Sequence, residues 1–156
     1  LYGIFFKDIQ LNFGESLTNP WIKDIVYRDP VHTSLLLNTK TAAAKGLKAG
    51  DIVKVESPYG RVYGRIGTTE AMHPETLGVS NSLSRLRTTH RNVRHAGGHF
   101  NDMLPCNLRH TDAVTGQPDT ATRVKITRLD DWPQELKEGK SVYDVVDDVA
   151  KGKGAH

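Results

Sequence analysis

Two alternating segments joined by a turn constrain the fold of this 156-residue chain most strongly. Apolar or small residues occupy every second position of DIVKVESPYGRVYGRI, at Val53, Val55, Val62, Gly64 and Ile66. Such alternation is typical of strands with one buried face. Because Pro58 and Gly60 are turn residues, we predict strands over 51–56 and 61–68 and a turn over 57–60 between them, in which Gly60 takes the left-handed bulge position of a three-residue hairpin loop.

A strand and a short helix are predicted just before this hairpin. Residues 34–37 form a brief apolar run, and Asn38 or Thr39 can cap a helix that continues through Ala44. Gly46 then fits the left-handed position that ends many helices.

The second half of the chain contains fewer regular elements. Strands are predicted over 76–83 and 122–129, with Val124 and Ile126 facing inward. The polar stretch 84–121 lies between them, and a loop of that length in a small domain is usually functional or disordered. The tail pattern SVYDVVDDVAKGKG predicts an amphipathic helix, because its valines recur at helical spacing.

The first 33 residues show weak periodicity. Trp21, Ile22 and Ile25 lie between Pro20 and Pro30, where we expect a short buried turn. The initial LYGIFF lacks the basic region of a signal peptide. The chain starts without methionine, so we expect it to be a piece of a longer protein.

Composition limits the classes of protein that fit. Hydrophobic residues make up 37% and charged residues 25%, which suits one domain with a modest core and excludes a disordered chain. No apolar run is long enough for a membrane span. Cys106 is the only cysteine, so an internal disulfide and a multi-cysteine metal site are excluded. The formal net charge of +3 does not indicate a nucleic-acid partner.

The segment RHAGGHFNDMLP has the composition of a sharp turn or a binding loop. Gly97 and Gly98 permit unusual backbone angles and close approach of a ligand. His95 and His99 have the spacing of a helical metal pair, but the glycines between them argue against a helix, and a zinc site is disfavoured. The preceding arginine-rich stretch, RLRTTHRNVRH, lacks interleaved aromatic residues, so docking or pyrophosphate steering is favoured over nucleic acid.

Three stretches in the same order resemble the C-terminal molybdopterin-dinucleotide-binding domain of the dimethyl sulfoxide reductase family. They are NTKTAAAKGLKAGDIVKVESPYGRVYGRI, GGHFNDMLP and TDAVTGQPDTATRVKITR. The resemblance implies a mainly β fold with short helices, a double-psi β-barrel of the aspartate-decarboxylase-like kind, and the sequence adds a C-terminal helix. It divides the chain into a lead-in segment packing on the barrel (1–33), the barrel (34–130) and a tail with a docking helix (131–156).

The cofactor implied by this resemblance is a molybdopterin guanine dinucleotide carrying molybdenum or tungsten, bound by the barrel in a larger oxidoreductase. Asn101 is the first expected contact, because its amide offers a donor and an acceptor to the pterin head. Gln117, in TGQP, is the second. Gly97 and Gly98 would bring main-chain N–H groups to the cofactor, and His99 would donate to it or stack.

Two further regions correspond to family segments that touch the cofactor, although their residues differ from the family pattern. Asn81 and Ser82 stand near the position where many relatives have a His-Gly pair. GESLTN corresponds to, or follows, a Gly-Arg loop in relatives, and it contributes Ser16, Thr18 and Asn19 as candidates.

A second hypothesis keeps the barrel but makes it a stand-alone, non-catalytic binding protein or small subunit. Under the first hypothesis, the expected partners are other domains or subunits of the parent oxidoreductase, with no turnover by this chain alone. Neither hypothesis requires nucleic acid or a membrane span. The compartment, prokaryotic cytoplasm or periplasm, would follow from the parent enzyme.

Overall fold

The structure of the chain is a computed structural model that describes residues 1–7, 9–10, 19–29, 31, 34–80, 100–105 and 107–134. Strands dominate these residues. In chain order the elements are β1 (Tyr2–Phe6), α1 (Pro20–Arg28), β2 (Ser34–Leu37), α2 (Thr39–Ala44), β3 (Ile52–Glu56), β4 (Arg61–Thr68), β5 (Thr76–Ser80), two short 3-10 helices (Phe100–Met103 and Leu108–His110), β6 (Thr122–Arg123) and β7 (Lys125–Leu129). The expectation of a mainly β fold with short helices is confirmed.

The seven strands of the described residues belong to one sheet, in the order β6-β1-β5-β2-β4-β3-β7. The two edge strands are separated along the chain by a single residue, Val124. A flat sheet of seven strands would be roughly 29 Å wide at about 4.8 Å per spacing. The Cα atoms of Arg123 and Lys125 can be at most about 7.6 Å apart, since two peptide units of about 3.8 Å join them. The sheet must therefore curl until its two edges approach each other.

The predicted strand over 122–129 is thus two strands. The first part, β6, pairs antiparallel with β1 at one edge, and the second part, β7, pairs antiparallel with β3 at the other. Val124 is buried between them, and Ile126 packs against the core, so the inward-facing prediction for both residues is confirmed.

The hydrophobic core lies on one face of the curled sheet. It follows the predicted alternation, because Val53, Val55, Val62 and Ile66 are all buried. β2 and β5 add Leu35, Leu37, Leu77 and Val79, and Phe100 and Met103 enter the same cluster from beyond the strands.

The helix preceding the hairpin forms as predicted. The Asn38 side chain caps α2 by accepting a hydrogen bond from the backbone N of Lys40 (2.9 Å), and its amide donates to the carbonyl oxygen of Met72 (2.8 Å). Gly46 follows the helix with φ +67°, in the left-handed region, as expected.

Three predictions about local structure were wrong or incomplete. Gly60 does not have a positive φ, and the pairing of Glu56 with Arg61 leaves four residues in the turn rather than three. The buried turn expected near residue 21 is helix α1, and its Trp21 and Ile25 are 81% and 56% exposed. Tyr2–Phe6 was not predicted as a strand, yet it pairs in parallel with β5.

Some predictions fall outside the described residues. These are the end of the strand predicted over 76–83, the arginine-rich stretch, the two histidines beside Gly97 and Gly98, and the tail helix.

Candidate functional site

The turn between β3 and β4, Ser57–Gly60, is organised by one hydroxyl group. The backbone N of Ser57 donates to the carbonyl oxygen of Gly60 at 2.8 Å. Ser57 Oγ accepts from the backbone N of Tyr59 (3.1 Å) and of Gly60 (3.2 Å), and it donates to the carbonyl oxygen of Met103 (2.8 Å). A hydroxyl has one hydrogen and two lone pairs. The capacity of Ser57 is therefore fully used, and one of its bonds holds a distant part of the chain.

That distant part is the short 3-10 helix Phe100–Met103. Phe100 and Met103 are buried, at 2% and 0% exposure, and the Phe100 ring lies 5.6 Å from that of Phe5. The backbone of this 3-10 helix approaches the hairpin turn so closely that a Cβ atom built on Gly60 would overlap the carbonyl oxygen of Asp102. The absence of a side chain at residue 60 is what allows the two turns to touch.

Asn101 lies between these buried anchors and is itself exposed. Its carbonyl oxygen accepts a hydrogen bond from the backbone N of Leu104 at 3.2 Å. Within the part of the chain that the structure describes, its side-chain amide has no hydrogen-bond partner. The backbone beneath Asn101 is thus anchored, and no described residue occupies its amide.

The second segment is the loop 107–119, which closes on itself as a small hairpin. Thr111 and Pro118 form an isolated antiparallel bridge, and the backbone N of Asp112 donates to the carbonyl oxygen of Gln117 at 2.9 Å. The Asp112 carboxylate accepts from the backbone N (2.7 Å) and the hydroxyl (2.9 Å) of Thr115 and from the backbone N of Val114 (3.0 Å). These donors hold the pKa of Asp112 below its ordinary value.

Gln117 lies at the closed end of this loop and is exposed. Its backbone N donates to Thr115 Oγ1 at 3.3 Å, a long contact, while its carbonyl oxygen is occupied by Asp112. Among the described residues its side-chain amide has no partner. Gln117 therefore resembles Asn101, because each has an amide that no described residue pairs with, on a backbone held by other groups.

A chain of three side chains joins the loop 107–119 to the hairpin turn. The Tyr59 hydroxyl lies 3.3 Å from Nε2 of His110, and Nδ1 of the same ring lies 3.2 Å from the Asp119 carboxylate. The Tyr59 and His110 rings meet edge to face, with centroids 5.7 Å apart. The hairpin turn Ser57–Gly60 is consequently in contact with both segments that carry a predicted site residue.

The other predicted site residues are placed as follows. Asn19 Oδ1 accepts from the backbone N of Trp21 at 3.0 Å, so its side chain is engaged at the start of α1. Gly97, Gly98, His99, Asn81, Ser82, Ser16 and Thr18 lie outside the described residues. Ser57, His110 and Asp119 were not predicted from the sequence. The SPYG turn is a local signal for Ser57, but nothing local links His110 and Asp119 to it.

The described part of the chain offers little for other kinds of site. It contains no group of three His, Cys, Asp or Glu side chains arranged to hold a metal ion. It also contains no helix of the length and apolar character that crossing a membrane requires.

Comparison with known proteins gives two findings. The family described as Molydopterin dinucleotide binding domain matches residues 21–124, two thirds of the chain. Acetylene hydratase from Pelobacter acetylenicus has a similar structure, with a TM-score of 0.62 and 17% sequence identity; the match covers 81% of this chain and 18% of that one. No curated protein matches the sequence.

Proposed function

This chain belongs to the molybdopterin dinucleotide binding domain family, and we propose that it holds the cofactor on the surface formed by the Phe100–Met103 helix and the loop 107–119. The family resemblance of the sequence is confirmed by the match. The observation that carries the proposed site is the pair of exposed amides, Asn101 and Gln117, each without a partner among the described residues and each on an anchored backbone.

The chemistry of these groups fits a pterin dinucleotide. A pterin head and a guanine base both present ring edges with adjacent donors and acceptors. Asn101 and Gln117 each supply a donor and an acceptor, so either can bond such an edge in two places. When bound, the cofactor would supply the metal-centred chemistry, while this chain would supply binding and orientation.

We extend the same role to residues that the structure does not describe. Gly97, Gly98 and His99 directly precede the Phe100–Met103 helix in sequence. Asn81 and Ser82 directly follow β5, and Thr18 precedes α1. These six are proposed contacts of the molybdopterin guanine dinucleotide on the basis of the family resemblance.

For the fold itself we propose a double-psi β-barrel. One support is the single-residue connection between β6 and β7, which draws the two edges of the sheet together. The other is the mixed pairing of β2, which is parallel to β4 on one side and antiparallel to β5 on the other. A purely up-and-down barrel would contain no parallel pair.

The chain spans about a fifth of the length of acetylene hydratase, and we propose that it works as one domain or subunit of a larger molybdenum or tungsten oxidoreductase. The name of that neighbour describes a hydration, so the fold alone does not determine the reaction of the parent enzyme. Trp21 and Ile25 are exposed and lie one helical turn apart on α1, which supports a contact with another domain or subunit.

The test is cofactor retention by the full-length protein. Asn101→Ala and Gln117→Ala should each weaken cofactor binding by about 5- to 150-fold, because a buried ligand group left without its partner costs about 1–3 kcal/mol. Guanine nucleotide released by acid and the metal content report occupancy per mole of protein. Gln10→Ala, which removes another exposed amide, is the matched control. Full occupancy in both site variants would contradict the proposed site.

A further inference from the structure

We propose that the hairpin turn Ser57–Gly60 is the positioning element of the site, with one arm for each cofactor-contacting segment. Ser57 sets the place of Asn101, and Tyr59 sets the place of Gln117 through His110. The inference rests on the proposed function, because positioning has a consequence only if the two amides contact the cofactor.

The first arm is the bond from Ser57 Oγ to the carbonyl oxygen of Met103. Met103 is two residues beyond Asn101 in the same short helix. The backbone N of Leu104, the next residue, donates to the carbonyl oxygen of Asn101. Because Ser57 Oγ also accepts two backbone N–H groups of its own turn, its orientation is fixed before it meets Met103. A displacement of Met103 therefore moves the backbone that carries Asn101.

The second arm is the series from Tyr59 through His110 to Asp119. A carboxylate only accepts hydrogen bonds, so Nδ1 of His110 donates to Asp119, and in the neutral ring Nε2 accepts from the Tyr59 hydroxyl. His110 and Asp119 also form a backbone bond across the base of the loop, 2.8 Å from the N of Asp119 to the carbonyl oxygen of His110. Gln117 is two residues before Asp119, so this base determines where its backbone lies.

The two arms leave the turn from different residues and reach different segments. Removal of one arm should therefore act only through the amide on its own side. Energetic coupling is expected between Ser57 and Asn101 and between Tyr59 and Gln117, whereas the crossed pairs should be independent. A turn that merely stabilised the fold would show no such pairing.

The experiment measures the dissociation rate of the pterin nucleotide from the loaded full-length protein, followed by the fluorescence of the released and oxidised pterin. Ser57→Ala and Tyr59→Phe should each raise the rate about 3- to 10-fold, the range for loss of one hydrogen bond. Ser57→Ala should add nothing in an Asn101→Ala background but should keep its full effect in a Gln117→Ala background. Tyr59→Phe should show the reverse, and Ser57→Thr, which keeps the hydroxyl, should restore the rate.

Matched controls are Ser34→Ala on β2 and Tyr63→Phe on β4, which should leave the rate unchanged. The inference would be overturned if Ser57→Ala and Tyr59→Phe each raised the dissociation rate by the same factor in the Asn101→Ala and Gln117→Ala backgrounds as in the natural chain. Equal rate increases in the two control variants would also overturn it. A third result would also overturn the inference: Ser57→Ala and Tyr59→Phe leave the rate unchanged, while Asn101→Ala and Gln117→Ala raise it. In that case the proposed function would stand. An unchanged rate in Asn101→Ala and Gln117→Ala would refute the proposed function itself.

Discussion

Replacement of Gly60 by alanine tests the contact between the hairpin turn and the Phe100–Met103 helix, on which the proposed site depends. An added Cβ would overlap the Asp102 carbonyl oxygen and lie 3.1 Å from the Asp102 carbonyl carbon. Both are backbone atoms, so no side-chain rotation can relieve the overlap, and the two turns must separate. Overpacking of this kind costs about 1–3 kcal/mol, and loss of the Ser57–Met103 bond adds about 0.5–1.5 kcal/mol. The less flexible unfolded chain offsets about 0.4–1 kcal/mol of this loss, so we expect a net loss of about 0.5–4 kcal/mol.

The assay is urea unfolding of the chain, followed by circular dichroism, with Gly46→Ala as the comparison. A Cβ on Gly46 would meet no atom within 4 Å. Gly46 has a left-handed φ of +67°, so Gly46→Ala should lower the free energy of unfolding by about 1–2 kcal/mol through conformational strain alone. Only Gly60→Ala should also change the hydrogen exchange of the Leu104 amide. A Gly60→Ala variant as stable as the natural chain, or more stable, would show that the two turns do not touch as described.

Three other changes test the fold and the loop. Leu37→Ala removes a fully buried side chain and should lower the free energy of unfolding by about 2–5 kcal/mol, measured by urea unfolding. Asn38→Ala removes the cap of α2 and should lower the free energy of unfolding by about 1 kcal/mol, and by more if the carbonyl of Met72 stays unpaired. Asn38→Asp should keep the cap and lose only the bond to Met72. Because the pKa of Asp112 is lowered, the stability that its hydrogen bonds give the loop 107–119 is fully present above the ordinary aspartate range, near 3.9. That stability is lost as the pH falls through the lowered pKa. The exchange rate of the Thr115 amide, corrected for intrinsic exchange, should therefore rise only in acid, and Asp112→Asn should abolish that pH dependence.

The local elements of the fold were predictable because their signals are local. Alternation identified β3 and β4, and Asn38 and Gly46 marked the two ends of α2. The division at Val124 was not predictable, because the residues of 122–129 fit one strand equally well. What separates β6 from β7 is their pairing with β1 and β3, and those strands lie far apart in sequence.

The same limit explains Gly60. A glycine after Ser-Pro-Tyr is usually placed in a turn for its backbone freedom, and the sequence offers no sign of the neighbour that makes a side chain impossible there. Asp102 is 42 positions further along the chain. Asn101 and Gln117 were chosen from a family resemblance, and that choice remains a proposal. Ser57 lies in a turn that the sequence marks, but its bond to Met103 and the contacts of His110 could be found only from distances.

An anchored backbone with exposed amides suits a cofactor that is shared between domains. In water, the amides of Asn101 and Gln117 are hydrated, so leaving them unpaired costs little until another surface covers them. Under the proposed function, the cofactor and a second domain would exclude water from these amides. Each unmet hydrogen bond would then cost more free energy, and small errors of position would matter. The protein therefore gains from fixing the backbone in advance, with Phe100 and Met103 in the core and the hairpin turn beneath both segments. On this reasoning, most of the affinity appears only in the assembled enzyme, and the isolated chain should bind a guanine nucleotide weakly. Tight binding by the isolated chain in calorimetry would instead identify an autonomous binding protein.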